Sequence, residues 1–355
     1  MDLSFYKNKR VLITGHTGFK GGWISLVLLQ LGADVSGYAL KPDTEPNLYD
    51  LCDLKNKMSS YIGDVRDLEN LQRVFDEVQP EIVIHMAAQP LVRESYKRPV
   101  YTYETNVMGT VNVLECVRNT PSVKSVVNVT TDKVYKNIEQ DKGYVETDTL
   151  DGYDPYSNSK SCSELVTSSY INSFLKEKGV AVSTVRAGNV IGGGDFAADR
   201  IIPDCVRAGM NNEDIIIRNP FSIRPFQHVL EPVVAYLMVA MEQWRDIGKC
   251  GSYNVGPADE DCYTTGRLAD LFCEKWKAIM GHDIKWINKH DGGPHEAGFL
   301  KLNCSKIHKV FGWSPKWDMN TNMERIVSWT RVYLEGTGEA VLRCMNEQIK
   351  EYIES

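Results

Sequence analysis

This chain of 355 residues has no apolar run longer than nine residues, Val233 to Met241. A membrane-spanning helix needs about 20, so no membrane partner is expected. Its first ten residues, MDLSFYKNKR, hold no apolar signal core and lead straight into a strand pattern. The expectation is therefore a cytoplasmic protein. Its nine cysteines are odd in number, scattered and never spaced C-x-x-C. That argues against a disulfide framework and against a zinc site, so no metal is expected. The chain also lacks basic charge: 40 Lys and Arg stand against 47 Asp and Glu, a net charge of −7. Nonspecific nucleic-acid binding fits such a balance poorly. An anionic ligand would have to be held by local Arg, Lys or helix N-termini. Internal repeats and low-complexity linkers are missing as well. The 43% hydrophobic and 25% charged content is ordinary for a folded globular chain.

The first half alternates strand and helix patterns. Arg10 to Thr14 (RVLIT) reads as a buried strand, and WISLVLLQLG after it as a helix ended by Gly32. Asp34 to Leu40, Glu81 to His85, Val123 to Thr130 and Val180 to Arg186 read as further strands. Leu68 to Val78, Val100 to Asn119 and Pro155 to Lys178 read as helices. This alternation predicts an α/β fold, a doubly wound parallel (Rossmann) sheet covered on both faces. After about Arg186 it weakens, and Gly and Pro become frequent, as in GNVIGGGD and RNPFSIRPF. The expected division is a dinucleotide-binding domain over 1–186 and a smaller substrate domain over 187–355, interleaved with the first. EQIKEYIES at the C-terminus reads as an exposed helix or tail.

Gly15, Gly18 and Gly21 form G-x-x-G-x-x-G between the first strand and first helix. One glycine permits the tight turn, one lets backbone approach a pyrophosphate, and one lets helix and strand pack closely. The helix N-terminus then offers free N–H groups and a positive dipole end. The strand–turn–helix context favours dinucleotide binding over a plain tight turn. The second strand has no acidic residue at its end; Lys41 follows it and Asp43 is the nearest carboxylate downstream. NAD and NADP are thus not separated at that position. Asp64 reads either as a helix N-cap or as an adenine contact.

Tyr156 and Lys160, in YSNSK, share a helix face. A phenol of pKa about 10 must drop by roughly 3 units to act as a base near neutrality. A nearby ammonium and an oxidised nicotinamide both favour the phenolate. Thr130, Thr131, Asp132 and Lys133 end the preceding strand, where ligands sit in such sheets.

With these residues in view, the chain resembles the extended short-chain dehydrogenase/reductases and, within them, the CDP-glucose 4,6-dehydratase family. The likeness runs over nearly the whole chain. Its markers are GHTGFKGGW, AAQPLVRESY, ETNVMGTVNVLE, TTDKVY, DPYSNSK, VRAGNVIGGGDFAADRIIPD, IRNPFSIRPFQHVLEP and HEAGFLKLNCSK. The resemblance implies an NAD-dependent hydro-lyase that converts CDP-D-glucose to CDP-4-keto-6-deoxy-D-glucose by moving a hydride from C4 to C6. It implies Tyr156 as the base at the sugar 4-hydroxyl, assisted by Thr131 and Lys160, and Asp132 as the acid at the C6 oxygen. The dTDP-glucose dehydratases carry Asp-Glu where this chain has Asp132–Lys133. The C5 base is therefore left open between Lys133 and Tyr156 or a water, with Lys133 then stabilising the enolate.

Candidate cofactor contacts are Gly15, Thr17, Gly18, Phe19, Lys20, Gly21, Asp64, Val65, Ala87, Ala88, Gln89, Asn106, Tyr156 and Lys160. Candidate substrate contacts are Asn189, Arg200, Arg224, His295 and Glu296, with Arg218 and Arg93 weaker ones. His85 reads as a packed, hydrogen-bonded histidine. The helices at 100–119 and 156–178 are expected to form a homodimer or higher homo-oligomer interface, as they do in the superfamily. Phe226, Val134 and Lys136 replace the Trp, Cys and acidic residue usual in the family, which bears on pocket shape and nucleotide preference. Two alternatives are a nucleotide-sugar 4-epimerase, or a dehydratase acting on another nucleotide hexose. A non-enzymatic NAD(H)-binding regulator is a third, against which Thr131, Tyr156 and Lys160 weigh.

Overall fold

A computed structural model describes residues 2–289 and 298–355. In its first half, β1 (Arg10–Thr14), β2 (Asp34–Ala39), β3 (Ser59–Ile62), β4 (Ile82–His85), β5 (Ser125–Thr131) and β6 (Ala181–Ala187) alternate with helices. The helices are α1 (Phe19–Gln30), α2 (Leu48–Leu51), α3 (Leu68–Val78), α4 (Val92–Lys97), α5 (Pro99–Tyr103), α6 (Gly109–Asn119) and α7 (Pro155–Tyr170). The second half holds β7 (Asn189–Ile191), α8 (Ile201–Asn211), β8 (Ile215–Ile217), β9 (Ile223–Arg224), β10 (Phe226–His228) and α9 (Leu230–Arg245). β11 (Ser252–Val255), β12 (Tyr263–Thr264), α10 (Thr265–Met280), β13 (Trp286–Asn288), α11 (Ser305–Phe311), α12 (Met319–Glu335) and α13 (Gly338–Glu354) complete it.

Seven strands form one parallel sheet in the order β11-β6-β5-β4-β1-β2-β3. β5 and β6 are buried along their whole length, as strands covered on both faces must be. The order reverses between β1 and β4, which opens a crevice beyond their carboxyl ends. Register decides what stands there. Thr14 is level with His85, and His85 with Asn128, so β5 runs three residues further, to Thr131. Thr131 is in turn level with Ala187. The end of β5 is a raised lip beside the crevice.

The chain after residue 187 contributes to this sheet too. β11 pairs with β6, and α9 packs on β5 and β6. The side chains from Leu230 to Met241 are buried throughout, and burying each large apolar one contributes about 1.5–3 kcal/mol. Elsewhere this half forms three two-stranded pieces, β7–β10, β8–β13 and β9–β12, over a second core built on Phe272, Trp276, Met319 and Met323.

Four local expectations change. The helix expected over 100–119 is α5 and α6 joined by a π-helical turn at Glu104–Met108. The helix expected over 155–178 is α7 followed by a π-helical turn, Ile171–Leu175. β3 has the sequence SSYI and no fully buried residue, so it carries little apolar signal. The C-terminal segment is not simply exposed: α13 buries Val341, Met345, Ile349 and Tyr352 and packs against α1 and α2. Tyr352 donates a 2.5 Å hydrogen bond to the buried Glu231 carboxylate on α9, which anchors the helix.

Candidate active site

The glycine turn is built by exclusion. Gly15 has φ +84°, and a Cβ there would lie 2.9 Å from the Ala87 nitrogen. A Cβ on Gly21 would lie 2.1 Å from the Gly15 carbonyl oxygen, so α1 can cross the turn only without a side chain. Gly18 differs: the nearest atom to its Cβ position is that same oxygen, at 3.6 Å, and the position otherwise faces open space. It is the N-cap of α1, with no side chain capping the first-turn amides. A phosphate can therefore come close to backbone N–H groups at the positive end of the helix. The turn fits a dinucleotide pyrophosphate.

Beyond the turn lies a cleft of 400 Å³. Gly15, Thr17, Gly18, Phe19, Lys20, Gly21, Asp64, Val65, Ala87, Ala88 and Gln89 all line it, together with Lys41 and Asp43. Asp64 is not a helix cap; Asp67 caps α3 instead, accepting from the Asn70 amide. The Asp64 carboxylate grips Arg66 at 2.7 Å. Burial tends to raise its pKa, but the bonds from Arg66 outweigh that and hold it below the usual carboxylate value. Asn106 lies outside the cleft, on the π-helical turn. Its amide accepts from the Gln89 N–H at 2.8 Å and donates to Ser159 of α7 at 2.9 Å. It therefore ties the loop after β4 to the helix carrying Tyr156.

A second cavity of 630 Å³ is lined by Thr130, Thr131, Lys133, Tyr156, Asn189, Arg200, Arg218 and Arg224, and Lys20 and Phe19 lie on both walls. A third, of 460 Å³, shares Lys133, Asn189, Arg200 and Arg224 with it, and Arg93 lines both. The Asn189 side-chain oxygen is buried without a hydrogen-bond partner among the described residues. Arg200 is held by Asp195 at 3.1 Å, and Arg218 by Asp199 at 2.8 Å. Arg224 donates to the Ile223 carbonyl at 3.2 Å. Several cations thus converge on one opening of a protein whose net charge is −7. His295 and Glu296 lie outside the described residues.

Tyr156 and Lys160 stand near the raised lip of β5. Lys160 is buried, and its ammonium donates to the Val129 carbonyl at 3.1 Å. Burial pushes its pKa down to about 8, against the pull of Glu164. Tyr156 moves the other way. Burial pushes it up to about 12, opposed by the Thr131 hydroxyl. The protein alone therefore keeps the phenol protonated, and a cation placed over it would be needed to favour the phenolate. Lys20 is pushed down to about 7 by burial, then by Lys160 and Arg200, with Asp132 opposing. Asp132 is fully buried. One carboxylate oxygen accepts from Thr131 at 2.9 Å and lies 3.6 Å from the Lys133 ammonium; the other has no hydrogen-bond partner among the described residues.

His85 is buried between Thr14 at 2.7 Å and Thr110 at 3.1 Å, and burial lowers its pKa to about 3. It is a neutral structural imidazole. Among the described residues, no group of three or more His, Cys, Asp or Glu is placed to hold a metal ion, and no helix is long and apolar enough to cross a membrane.

Sequence reasoning missed the support beneath this site. Glu164, Arg186 and Asp195 were not singled out. Glu164 is one helical turn beyond Lys160 and so shares its face, a signal that was available. Nothing local points to Arg186.

A parallel sheet with a glycine turn at its switch point and a Tyr-x-x-x-Lys helix following β5 defines a dinucleotide-binding scaffold of the short-chain dehydrogenase/reductase type. The chain belongs to the GDP-mannose 4,6 dehydratase family, which it matches over residues 12–326. It is 48% identical to the CDP-glucose 4,6-dehydratase of Salmonella typhimurium, over 99% of this chain and 98% of that one. Two solved structures share its fold at 22% identity. One is dTDP-glucose 4,6-dehydratase from Bacillus anthracis in complex with NAD, with a TM-score of 0.75 over 93% of this chain and 99% of that one. The other is UDP-glucose 4-epimerase from Thermotoga maritima with UDP-glucose, with a TM-score of 0.78 over 92% and 99%.

Proposed function

We propose that this protein dehydrates CDP-D-glucose to CDP-4-keto-6-deoxy-D-glucose with NAD. The supporting observation is the buried Asp132 carboxylate, one oxygen of which has no hydrogen-bond partner among the described residues, between Thr131 at the end of β5 and Lys133, with Tyr156 of α7 beside Thr131. An epimerase has no use for an acid there. The extensive likeness to a CDP-glucose 4,6-dehydratase supports the nucleotide.

The proposed cofactor contacts are the glycine turn, Asp64, Val65, Ala87, Ala88 and Gln89, with Tyr156 and Lys160 at the reactive end. Bound there, NAD would supply the acceptor for the C4 hydride and, once reduced, its donor to C6. Tyr156 accepts the proton of the 4-hydroxyl, and Thr131 bonds the same oxygen. The 4-ketone acidifies the C5–H. Lys133 is placed to remove that proton, or to stabilise the enolate left when a water removes it or when Tyr156 does so after releasing the 4-hydroxyl proton to solvent. Asp132 gives its proton to the C6 oxygen as the C6–O bond breaks and water leaves. Asn189, Arg200 and Arg224 hold the diphosphate, with Arg geometry suited to bidentate contact.

The organisation we propose is a cofactor-binding part over 1–186 and a substrate-binding part over 187–355, interleaved through α9 and β11. The exposed Val100, Met108, Leu165 and Phe174 on the α5–α6 and α7 side are the proposed homodimer face.

The test is incubation of the purified protein and NAD with CDP-glucose and, separately, dTDP-, UDP- and GDP-hexoses, followed by product mass. Loss of one water from CDP-glucose alone is expected. Loss from another sugar overturns the nucleotide. An unchanged mass with an isomeric product by NMR makes the protein an epimerase.

A further inference from the structure

The Asp132 side chain has few constraints of its own. Among the described residues its hydrogen-bond and ion-pair partners are its sequence neighbours Thr131 and Lys133, and one oxygen has no hydrogen bond. Its aim is therefore set by the backbone of the short helical turn Asp132–Val134. That turn is gripped from outside at two consecutive residues. The Val134 carbonyl accepts from the Ser161 hydroxyl at 2.7 Å and from the Asp151 amide at 3.0 Å. The Tyr135 hydroxyl accepts from Arg186 at 2.8 Å and donates to Asn254 of β11 at 2.6 Å. Arg186 is itself immobilised: Glu164 of α7 pairs with it through two bonds of 2.9 Å, and the Glu146 carbonyl accepts a third at 3.0 Å. Glu164 also accepts from Thr130 and Thr184, so Tyr135, Ser161, Glu164, Arg186 and Asn254 are all hydrogen-bonded and buried.

Tyr156 and Lys160 are not carried by that turn. They sit on α7 itself, and Lys160 is fixed on the Val129 carbonyl. The two halves of the proposed reaction thus rest on different supports. Oxidation at C4 uses Tyr156 and Lys160, carried by a 16-residue helix, with Thr131 at the end of β5. Elimination across C5 and C6 uses a three-residue turn held by side chains from α7, β6 and β11.

We propose that Tyr135 and Ser161 are positioning residues for elimination: their hydroxyls hold the Asp132–Lys133 turn in register with Tyr156. The proposal rests on the dehydratase reading above.

The test uses Tyr135→Phe and Ser161→Ala, each of which removes one oxygen atom. The NAD-loaded protein is mixed with CDP-glucose in deuterated water for a single turnover. Near-ultraviolet absorbance reports reduced nicotinamide, and NMR reports loss of the C5 proton. NAD affinity is measured by fluorescence titration in the absence of sugar. The expectation is unchanged NAD affinity and C4 oxidation within about twofold of the parent protein. C5 exchange and water loss should slow roughly 10- to 100-fold, so that reduced nicotinamide accumulates. If Tyr135→Phe does not fold, Ser161→Ala decides by the same readouts. Equal slowing of both halves, or of neither, in the soluble variants overturns the proposal, since a merely structural role would not change their ratio. If the parent protein forms neither reduced nicotinamide nor dehydrated product, the dehydratase reading fails, and the proposal with it.

Discussion

After β1 the chain turns on glycine; after β5 it turns on Thr131, Asp132 and Lys133. Both turns open onto the same crevice, and Lys20 of the first lies within electrostatic reach of Asp132 in the second. The glycine turn is shaped by what must be absent, because a Cβ at Gly15 or Gly21 would collide with backbone. Its information is local, and the same three positions suffice for any strand–turn–helix of this geometry. The second turn is shaped by what must be present. Ser161, Arg186 and Asn254 reach it from three other elements, the last two through Tyr135, which follows the turn. Backbone recognition of a cofactor can be encoded in seven residues. Side-chain chemistry on a substrate needs support spread over more than a hundred.

The contrast can be sharpened first at Asp132. Asp132→Asn should cut product formation roughly 10²–10⁴-fold. It should leave reduced nicotinamide forming on CDP-glucose, and it should hardly change stability. Equal loss of both signals in a stopped-flow trace would mean that the acid is needed before elimination, against the division drawn above. At the other turn the order reverses. Gly21→Ala forces a Cβ against the Gly15 oxygen and the His16 Cα, backbone atoms that cannot swing aside. A loss of roughly 3 kcal/mol in urea unfolding is expected, together with loss of NAD binding by titration. A variant with wild-type stability and affinity would show that the close crossing is not needed.

The smallest effect lies between the turns, at Lys160. Its pKa in the folded protein is lowered to about 8 by burial. The unfolded chain therefore holds that proton to higher pH than the folded one. Below about pH 8 the cost of the buried charge is present in full, and it fades as pH rises from about 8 to 10.5. Lys160→Met should abolish about 2 kcal/mol of the stability gained between about pH 7 and pH 9.5, measured as the change in unfolding midpoint against the parent protein. An identical pH dependence in both proteins would mean that the lysine is solvated.

Much of this was legible without coordinates. The strand–helix alternation through residue 186 reads correctly because burial on both faces forces apolar strands. Gly15, Gly18 and Gly21, and the Tyr156–Lys160 spacing, carry their meaning within one turn of chain. The π-helical turn that presents Asn106 was not legible, since its sequence, ETNVM, is compatible with an ordinary helix. Nor was the return of β11 to the edge of the first sheet, because pairing with β6 is a contact across 68 residues. Arg186 sits in a strand, VAVSTVR, where a charge looks out of place until Glu164 is found opposite it.

By itself, then, the sequence determined the order of elements, the steric form of the cofactor turn and the residue types available for proton transfer. Each of these depends on neighbours a few residues away. The tertiary structure decided which carboxylate is buried with a free oxygen, which cations converge on one opening and which way each pKa moves. Desolvation and Coulomb interactions depend on distance in space, and Lys20, Asp132, Lys160 and Arg200 become neighbours only when the sheet and its crossovers have formed.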